Sequence, residues 1–476
     1  MRRTKIVVTL GPATDDEVVL AAMIRAGTDV VRVNFSHGKA EDHGRRIELV
    51  RAAAASADRY VGVLGDLQGP KIRIERFAAG PVTLSEGATF LLDVSLDPDD
   101  GSARAVGVAY KDLPRDVRAG DVLLLDDGQV VLEVEKVDGP RIHTRVRVGG
   151  VLSDHKGINR QGGGLSAGAL TDKDRTDIQA AARLGIDFLA VSFARDAADI
   201  REARQLLRDA GGEGTIVAKI ERSEAIQNLP AIIDASDAVM VARGDLGVEM
   251  GYAELTGLQK TIIHQTRNRS RVVITATQMM ESMVHSALPT RAEVSDVANA
   301  VMDGTDAVML SAETAVGKYP VKAVEAMAEV IRGAEKYQLA HSRVRHRVEG
   351  QFQGTDEAIA MAVMYTANHL RVRAIVALTE SGSTPLWMSR IRSDIPIYAF
   401  TRHEITRRRV TLYRGVYPVP FDITHTDPGV LYHAIFDQLL KRQLVSTGDL
   451  VILTQGELSG VSGGTNSMKI LKVTAG

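Results

Sequence analysis

The stretch VMVARGDLGVEMG, residues 239–251, starts as an apolar run and turns abruptly into charged and glycine residues at Arg243. Such a run is typical of a buried strand, which cannot hold unpaired charges at low cost. The strand is therefore expected to end near Arg243, where the chain meets a solvated or ligand-filled space. An ordinary polar loop would give the same pattern. The RGD tripeptide could mark an adhesion loop, but its flanks predict burial. Arg243 itself is expected to be a structural ion-pair partner.

Seven further apolar runs share this character, and segments of helical periodicity separate most of them. With the run at Ala238 they make eight, and they begin at Lys5, Asp29, Tyr60, Phe188, Thr215, Val272 and Ala307. Alternating strands and helices predict a parallel sheet, and eight is the number of strands that closes a barrel. The sequence therefore predicts an α/β protein built on a (β/α)8 TIM barrel. Gly185 is a predicted helix stop, and Thr290 with Glu293 a predicted capping box.

Two parts of the chain break this alternation. Residues from Gly69 to Leu165 read as strand, turn and strand with Asp-Gly turn signals, which predicts an inserted all-β, barrel-like lid. After His341, a helical segment and the strand candidates AIVAL, PIYAF, VYPVP and LVILT predict an open α/β domain. The predicted division is a catalytic barrel at 1–68 and 166–340, a lid at 69–165, and a C-terminal domain at 341–476.

Composition narrows the classes of function. The chain has 58 Lys and Arg against 60 Asp and Glu, a net charge of −2, which argues against a general nucleic-acid or membrane surface. It has no cysteine, so any metal must be bound by oxygen or imidazole ligands. No run of about 18 apolar residues and no targeting pattern is present, so a cytoplasmic protein is expected.

Polar residues gather at the predicted carboxyl ends of the strands, where a parallel barrel has its active site. Many lie two residues apart, a spacing that places them on one face of a strand. They are Arg32, Asn34, Ser36, Asp66, Gln68, Lys219, Glu221, Arg243, Asp245, Thr275, Thr277, Ser311 and Glu313. Six such strand ends indicate a functional site. A buried ion-pair network that plugs the barrel without function is the alternative.

The residue types at this rim suit phosphoryl transfer. Glu221 and Asp245 offer hard oxygen ligands, so Mg²⁺ or Mn²⁺ held by two carboxylates and by substrate oxygens is expected. Lys219 and Arg32 would counter the charge of a phosphoryl group in transfer. Gly244 leaves the backbone open to an anion, and a short helix could start there.

An ordered set of motifs resembles the pyruvate kinase family. The motifs are NFSHG at Asn34, GDLQGPKIR at Gly65, KGIN at Lys156, AKIE at Ala218, ARGDLG at Ala242, TATQMMESM at Thr275, PTRAEVSDVANAV at Pro289 and DGTDAVMLSAETAVGKYP at Asp303. The resemblance implies phosphoryl transfer from phosphoenolpyruvate to ADP, which yields pyruvate and ATP in the last step of glycolysis. It also implies a homotetramer whose C-terminal domain serves effector binding and oligomerisation.

The resemblance also implies roles for individual residues. Lys219 is similar to the lysine that stabilises the transferring phosphoryl group, and Glu221 and Asp245 are similar to the ligands of the divalent metal. The backbone at Ala242, Gly244 and Asp245 resembles the substrate carboxylate site.

The remaining implied roles concern the proton, the phosphates and the nucleotide. Thr277 resembles the residue near the enolate face, and a water relay through Thr277 and Ser311 is our hypothesis for the proton donor. The other implied contacts are phosphate binding by Arg32 and Arg73, and nucleotide binding by Asn34, His37, Arg73 and Lys156.

Two positions depart from many members of the family. Leu67 stands where those members carry threonine, Lys71 stands where they carry glutamate, and those members need K⁺. A fixed ammonium at Lys71 would supply the charge of the monovalent ion, so activity without K⁺ is predicted. The region concerned comprises Asn34, Ser36, Asp66, Leu67 and Lys71.

The segment TESGST, which starts at Thr379, resembles the effector phosphate loop of the family. A loop of hydroxyl and glycine residues between a strand and a helix can bind phosphate through backbone amides. Its candidate residues are Thr379, Ser381, Gly382, Ser383 and Thr384. Ser383 replaces a frequent arginine, so fructose 1,6-bisphosphate, another sugar phosphate and a nucleotide monophosphate all stay open as effectors. An ordinary turn is the alternative.

Two other functions remain open. A metal-dependent lyase or mutase acting on phosphoenolpyruvate or 2-oxo acids could share the barrel and its carboxylate pair, although Lys156 on a lid suits a nucleotide better. A catalytically silent protein could bind sugar phosphate through its C-terminal domain. Retention of the polar rim argues against that second alternative.

Overall fold

The computed structural model describes residues 1–341, 352, 354–423, 430–456 and 464–474. The chain begins with β1 (Lys5–Thr9), α1 (Glu17–Ala26), β2 (Val30–Asn34), α2 (Ala40–Ser56) and β3 (Gly62–Asp66). An insertion then contains β4 (Val82–Leu84), β5 (Thr89–Asp93), β6 (Ala105–Gly107), α3 (Leu113–Asp116), β7 (Val122–Leu125), β8 (Val130–Asp138), β9 (Arg141–Val148), β10 (Gly150–Leu152) and β11 (Ile158–Arg160).

The alternation of helices and strands resumes after the insertion. It comprises α4 (Asp172–Arg183), β12 (Phe188–Val191), α5 (Ala197–Asp209), β13 (Thr215–Ile220), α6 (Ser223–Gln227), α7 (Leu229–Ala235), β14 (Ala238–Ala242), α8 (Arg243–Met250), α9 (Tyr252–Asn268), β15 (Val272–Ala276), α10 (Arg291–Asp303), β16 (Ala307–Leu310), α11 (Ala312–Ala315) and α12 (Pro320–His341). The C-terminal part comprises α13 (Thr355–His369), β17 (Ala374–Leu378), α14 (Ser383–Ser389), β18 (Ile397–Thr401), α15 (Glu404–Arg409), β19 (Val416–Pro420), α16 (Leu431–Lys441), β20 (Leu450–Gly456) and β21 (Thr465–Lys472).

Eight parallel strands form a closed barrel in the order β1, β16, β15, β14, β13, β12, β3, β2. Each of these strands falls on one of the eight predicted runs, so the barrel prediction is confirmed. Along each barrel strand, alternate residues pack into two different hydrophobic cores. Ile6 and Val8 pack outward against the helices, whereas Val7 packs inward with residues such as Leu64 and Met240. Burial on both faces explains why the runs read as continuously apolar.

The predicted helix signals act as expected. Thr290 accepts a hydrogen bond from the Glu293 amide, and the Glu293 side chain accepts one in return from Thr290, which completes the capping box of α10. Gly185 follows α4 with φ +61°, a left-handed conformation that favours glycine. No helix in the described ranges is both long and apolar enough to cross a membrane.

The insertion is built almost entirely of strands. Strands β7, β8 and β9 pair antiparallel, as predicted, within a six-stranded sheet of order β11, β7, β8, β9, β5, β6. A two-stranded sheet of β4 and β10 covers the same core, which includes Phe90, Leu132 and Ile142. The insertion is thus two sheets around one core, with one helical turn, where the sequence predicts a barrel-like lid.

The C-terminal domain covers the end of the barrel at which the strands begin. The Lys5 ammonium donates to the Val416 carbonyl at 2.6 Å, and Asp306 pairs with Arg390 at 2.8 Å. Asp187, just before β12, pairs with Arg408 at 2.8 Å. Because these barrel residues stand at or just before strand starts, the opposite end of the barrel stays clear of this domain.

The C-terminal sheet has the order β19, β18, β17, β20, β21. The four predicted strands are confirmed as its parallel part, whereas the antiparallel edge strand β21 was not predicted. The division of the chain at residues 69, 166 and 341 stays a prediction. Residues 342–351, directly after the last of these positions, lie outside the described residues.

Candidate active site

A network of charged side chains lies at the carboxyl end of the barrel and joins three separate strands. Arg32 of β2 pairs with Asp66 of β3, with Nε and Oδ2 2.6 Å apart. The Lys219 ammonium on β13 lies 3.3 Å from Asp66 Oδ1 and 2.9 Å from Glu221 Oε1. The two-residue spacing therefore brings together side chains far apart in sequence, as predicted.

Burial and pairing together set the protonation of this network. Burial alone would lower the pKa of Lys219, but the carboxylates of Asp66 and Glu221 outweigh it and raise that pKa above the ordinary value. Burial likewise opposes ionisation of Asp66, but Lys219 and Arg32 hold its pKa below the ordinary value. The Lys219 ammonium therefore stays charged at neutral pH.

Two residues that follow β12 complete the network, and the sequence-based analysis missed both. Ser192 accepts a hydrogen bond from the Lys219 ammonium at 2.7 Å and donates to the Leu67 carbonyl at 2.7 Å. The amide of Phe193, a residue with φ +55°, donates to Glu221 Oε2 at 2.8 Å. Ser192 lies two positions after the inward-facing Ala190, so the spacing used for the other strands could have identified it.

The residues of this rim suit a hard divalent cation. Burial raises the pKa of Glu221, Lys219 lowers it in part, and the nearby charge of Asp245 raises it again. Two neighbouring acidic groups that repel each other gain stability from a cation between them. Among the described residues, no group of three or more acidic or histidine side chains is arranged to hold a metal ion by itself. Substrate oxygens would therefore complete the coordination of a metal on Glu221 and Asp245.

Lys71 extends from the segment after β3 to this acidic pair. Its ammonium lies 3.2 Å from Asp245 Oδ1 and 3.8 Å from Asp127 Oδ1. Leu67, from the same motif, is buried in the outer core of the barrel. The fixed positive charge therefore stands beside a predicted metal ligand.

Thr277 reaches the rim through an unusual backbone conformation. Ala276 faces the barrel interior, so strict alternation would turn Thr277 outward with Thr275. Thr277 instead has φ +67°, which is rare for a β-branched residue. Its hydroxyl accepts from the Gly244 amide at 2.9 Å and donates to the Ala276 carbonyl at 2.6 Å. Strained residues of this kind cluster at functional sites.

Three residues of the predicted rim prove to be structural. Thr275 is buried and donates to the Thr305 hydroxyl at 3.0 Å, away from the network, so its placement at the rim is wrong. The buried Glu313 carboxylate accepts from the amides of Met280 and Ser311, so it fastens two loops together. Arg243 pairs with Asp296 at 2.7 Å and donates to the Thr277 carbonyl at 2.7 Å, as expected of a structural partner.

Two models of known protein families match this chain. A model described as pyruvate kinase, barrel domain, matches residues 1–324, and one described as pyruvate kinase, alpha/beta domain, matches residues 357–471. The chain belongs to the pyruvate kinase family. Pyruvate kinase II of Salmonella typhimurium is 56% identical over 477 residues, which cover 99% of both chains. The pyruvate kinase of Haemophilus influenzae is 53% identical over 96% of both chains, and that of Buchnera aphidicola subsp. Acyrthosiphon pisum 50% over 99%.

Membership of the pyruvate kinase family identifies the chain as a phosphotransferase with pyruvate kinase function. The barrel with an insertion and a C-terminal α/β domain agrees with the two matched family models. The functions left open above, a lyase or mutase and a silent regulatory protein, are therefore not supported.

Of the residues predicted on the nucleotide side of this pyruvate kinase, Asn34 stands opposite Asp66 in the pairing of β2 with β3, whereas the others lie apart from the charged network. Arg73 donates to the His155 carbonyl at 2.8 Å, and Lys156 pairs with Asp126 at 2.9 Å, both within the lid. His37 is exposed, and its amide donates to the Asn34 carbonyl. Within the described ranges, no side-chain hydrogen bond or ion pair joins His37, Arg73, Lys156 or Ser311 to the network.

The predicted effector loop of this pyruvate kinase connects β17 to α14. Gly382 has φ +88°, and its amide donates to the Thr379 hydroxyl at 2.9 Å. The hydroxyls of Ser381 and Ser383 are 3.3 Å apart, and Thr384 is buried with its hydroxyl 2.7 Å from that of Thr465. The loop lies between a strand and a helix, as predicted, but the Thr384 hydroxyl is already paired.

Proposed function

We propose that the charged network of β2, β3 and β13 is where this pyruvate kinase transfers the phosphoryl group from phosphoenolpyruvate to ADP. The observation that carries this proposal is the position of the Lys219 ammonium, held within 3.3 Å of two buried carboxylates from different strands. A charge fixed in this way does not have to reorganise when negative charge develops on the phosphoryl group. Arg32, held against Asp66, adds a second fixed cation from the adjacent strand.

Mg²⁺, or Mn²⁺ in its place, is the cofactor that these ligands favour, with Glu221 and Asp245 as its protein ligands. When bound, such an ion supplies Lewis-acid polarisation of the phosphoryl oxygens. The chain's own residues prepare its site, because the Phe193 amide orients Glu221 and Lys71 holds Asp245. The substrate carboxylate is assigned to the backbone at Ala242, Gly244 and Asp245, where α8 begins, because the amino end of a helix favours an anion.

The decisive assay follows pyruvate formed from phosphoenolpyruvate and ADP by the purified protein with Mg²⁺, with and without K⁺. We expect turnover in both buffers. Absence of pyruvate in both, with folded protein and sugar phosphates added, would refute the proposed site.

Replacing Thr277 with alanine should slow protonation of the enolate, because a water relay through Thr277 and Ser311 would lose one member. Loss of a positioned proton donor typically costs on the order of 10²-fold in rate. Turnover and its solvent isotope effect are the measurements. The matched control is Thr275→Val, two residues earlier on the same strand but turned away from the site. Unchanged turnover and isotope effect in Thr277→Ala would remove Thr277 from the relay.

Activity should not require K⁺, because the Lys71 ammonium already places a positive charge beside Asp245. Turnover in K⁺-free buffer is expected to stay above about a tenth of that in K⁺, a factor equivalent to about 1.4 kcal/mol. The reciprocal variant Lys71→Glu should become dependent on K⁺. If the unmodified enzyme lost more than this factor without K⁺, the role proposed for Lys71 would be wrong.

The nucleotide and the effector complete the proposal. Asn34, His37, Arg73 and Lys156 are assigned to ADP, since lid motion can carry Arg73 and Lys156 toward the barrel rim. A phosphate-bearing effector is assigned to the loop at Thr379, supported by its left-handed Gly382. A homotetramer, which the family resemblance implies, is the proposed assembly, and the cytoplasm is its proposed location.

A further inference from the structure

A cavity of about 120 Å³ lies between the barrel and the C-terminal domain, at the end of the barrel opposite the active site. Arg3 and Arg267 line it from the barrel, and Arg392 and Arg414 from the C-terminal domain. The side chain of Leu339, which is 48% exposed, marks its opening to solvent.

Positive charge dominates this cavity. Arg3 and Arg414 share one buried carboxylate, Glu335, at 3.7 and 3.9 Å. The same carboxylate also accepts from the Thr4 amide at 2.7 Å, so its charge is divided among several donors. Of the described residues that line the cavity, only Asp394 is acidic, and it is exposed.

Arg267 contributes a buried charge that the carboxylate of Asp306 offsets only in part. Its guanidinium donates to the carbonyls of Gly304 and Arg390, each at 2.7 Å. In the part of the chain that the structure describes, no acidic side chain lies within ion-pair distance of it. Burial and the neighbouring guanidinium of Arg390 lower the pKa of Arg267 to about 9, and burial lowers that of Arg414 to about 10. The surroundings therefore favour arrival of an anion.

We propose that this cavity binds the phosphate group of a small phosphorylated metabolite. Guanidinium groups form paired hydrogen bonds with phosphate oxygens and are the side chains most suited to that anion. The volume agrees, because a protein cavity of roughly 150 Å³ holds benzene, which has one more non-hydrogen atom than phosphate. The rest of the metabolite would extend past Leu339 toward solvent.

This site is separate from the loop at Thr379. That loop follows the carboxyl end of β17, whereas Arg392 precedes the amino end of the adjacent parallel strand β18. The two sites thus lie at opposite ends of one sheet. A ligand held by Arg267 and Arg392 contacts both the barrel and the C-terminal domain, so it would stabilise one relative arrangement of the two.

Calorimetric titration with inorganic phosphate tests the site in the full-length protein. Mg²⁺, ADP and pyruvate are present to fill the catalytic site, and the variant Ser383→Asp serves as background to repel phosphate from the effector loop. We expect binding to persist in this background. In it, Arg392→Met and Leu339→Glu should each raise the Kd for phosphate at least about tenfold, whereas Leu339→Gln should leave it within about twofold.

The Leu339 pair and the Ser383→Asp background each give a result that can overturn the proposal. Equal affinity in Leu339→Glu and Leu339→Gln would overturn the proposal, as would loss of all binding with Ser383→Asp alone. Arg392 also packs between domains, so thermal melting checks that Arg392→Met folds; if it does not, the Leu339 pair decides alone. Turnover measured on the same samples shows whether the catalytic site is intact.

Discussion

Replacing Lys219 with methionine should lower kcat by at least about 10³-fold. Among the described residues, this ammonium is the only cation that contacts both Asp66 and Glu221, so its loss would remove the charge proposed to face the transferring phosphoryl group. It also leaves these two carboxylates without their shared partner, which disfavours binding of an anionic substrate. Steady-state kinetics with phosphoenolpyruvate and ADP, together with a thermal melt, measures both effects.

Two comparisons distinguish a catalytic role from a structural one. Lys5→Met is the matched control, because Lys5 is also a buried lysine inside the barrel but at the end covered by the C-terminal domain. It should retain turnover within a few-fold. Exchange of the methyl protons of pyruvate involves no phosphoryl transfer, so Lys219→Met should retain much of it. Equal loss of both activities would contradict the role proposed for Lys219.

Replacing Asp245 with asparagine should raise the Mg²⁺ concentration needed for half-maximal activity at least about 100-fold. Loss of a residue that only supports a ligand typically costs 10- to 100-fold in metal affinity, and a direct ligand should cost at least as much. Titration with Mn²⁺, followed by electron paramagnetic resonance without substrates, reports metal binding independently of turnover. Asp245→Asn also removes the ion pair between Asp245 and Lys71. The metal affinity and the turnover rate should therefore both be recorded.

The matched control for this prediction is Asp127→Asn. Asp127 likewise faces the Lys71 ammonium, but its side chain is 64% exposed and stands on the lid. Its φ of +55° is a conformation that asparagine tolerates. We expect its metal affinity to stay within about twofold. A similar loss in both variants would assign the effect to the field around Lys71 and contradict direct ligation by Asp245.

Much of the fold could be predicted because the information is local. Each barrel strand is an uninterrupted apolar run, since its two faces are both buried, and glycines and caps mark the helix ends. β21 was missed because its residues mix polar and apolar types, as befits a half-exposed edge strand. Its burial depends on pairing with β20, which no local pattern reports.

The rim shows the same division between local and tertiary information. Side chains two apart on a strand share a face, so the positions of Arg32, Lys219 and Glu221 followed from spacing alone. Spacing misled at the end of β15, where Thr275 turns outward and Thr277 turns in. The cause is the left-handed backbone at Thr277, whose carbonyl is held by Arg243 from α8.

The number of barrel strands, the end of the barrel that carries the polar rim and the types of its polar residues were all readable from the chain, because each depends on neighbours within a few positions. Only the tertiary structure decided which charges meet. Lys219 lies between Asp66 and Glu221, and Lys71 lies against Asp245, because closure of the barrel brings distant segments within 4 Å. The arginine cavity depends on the fold even more, since the packing of the C-terminal domain against the barrel creates it.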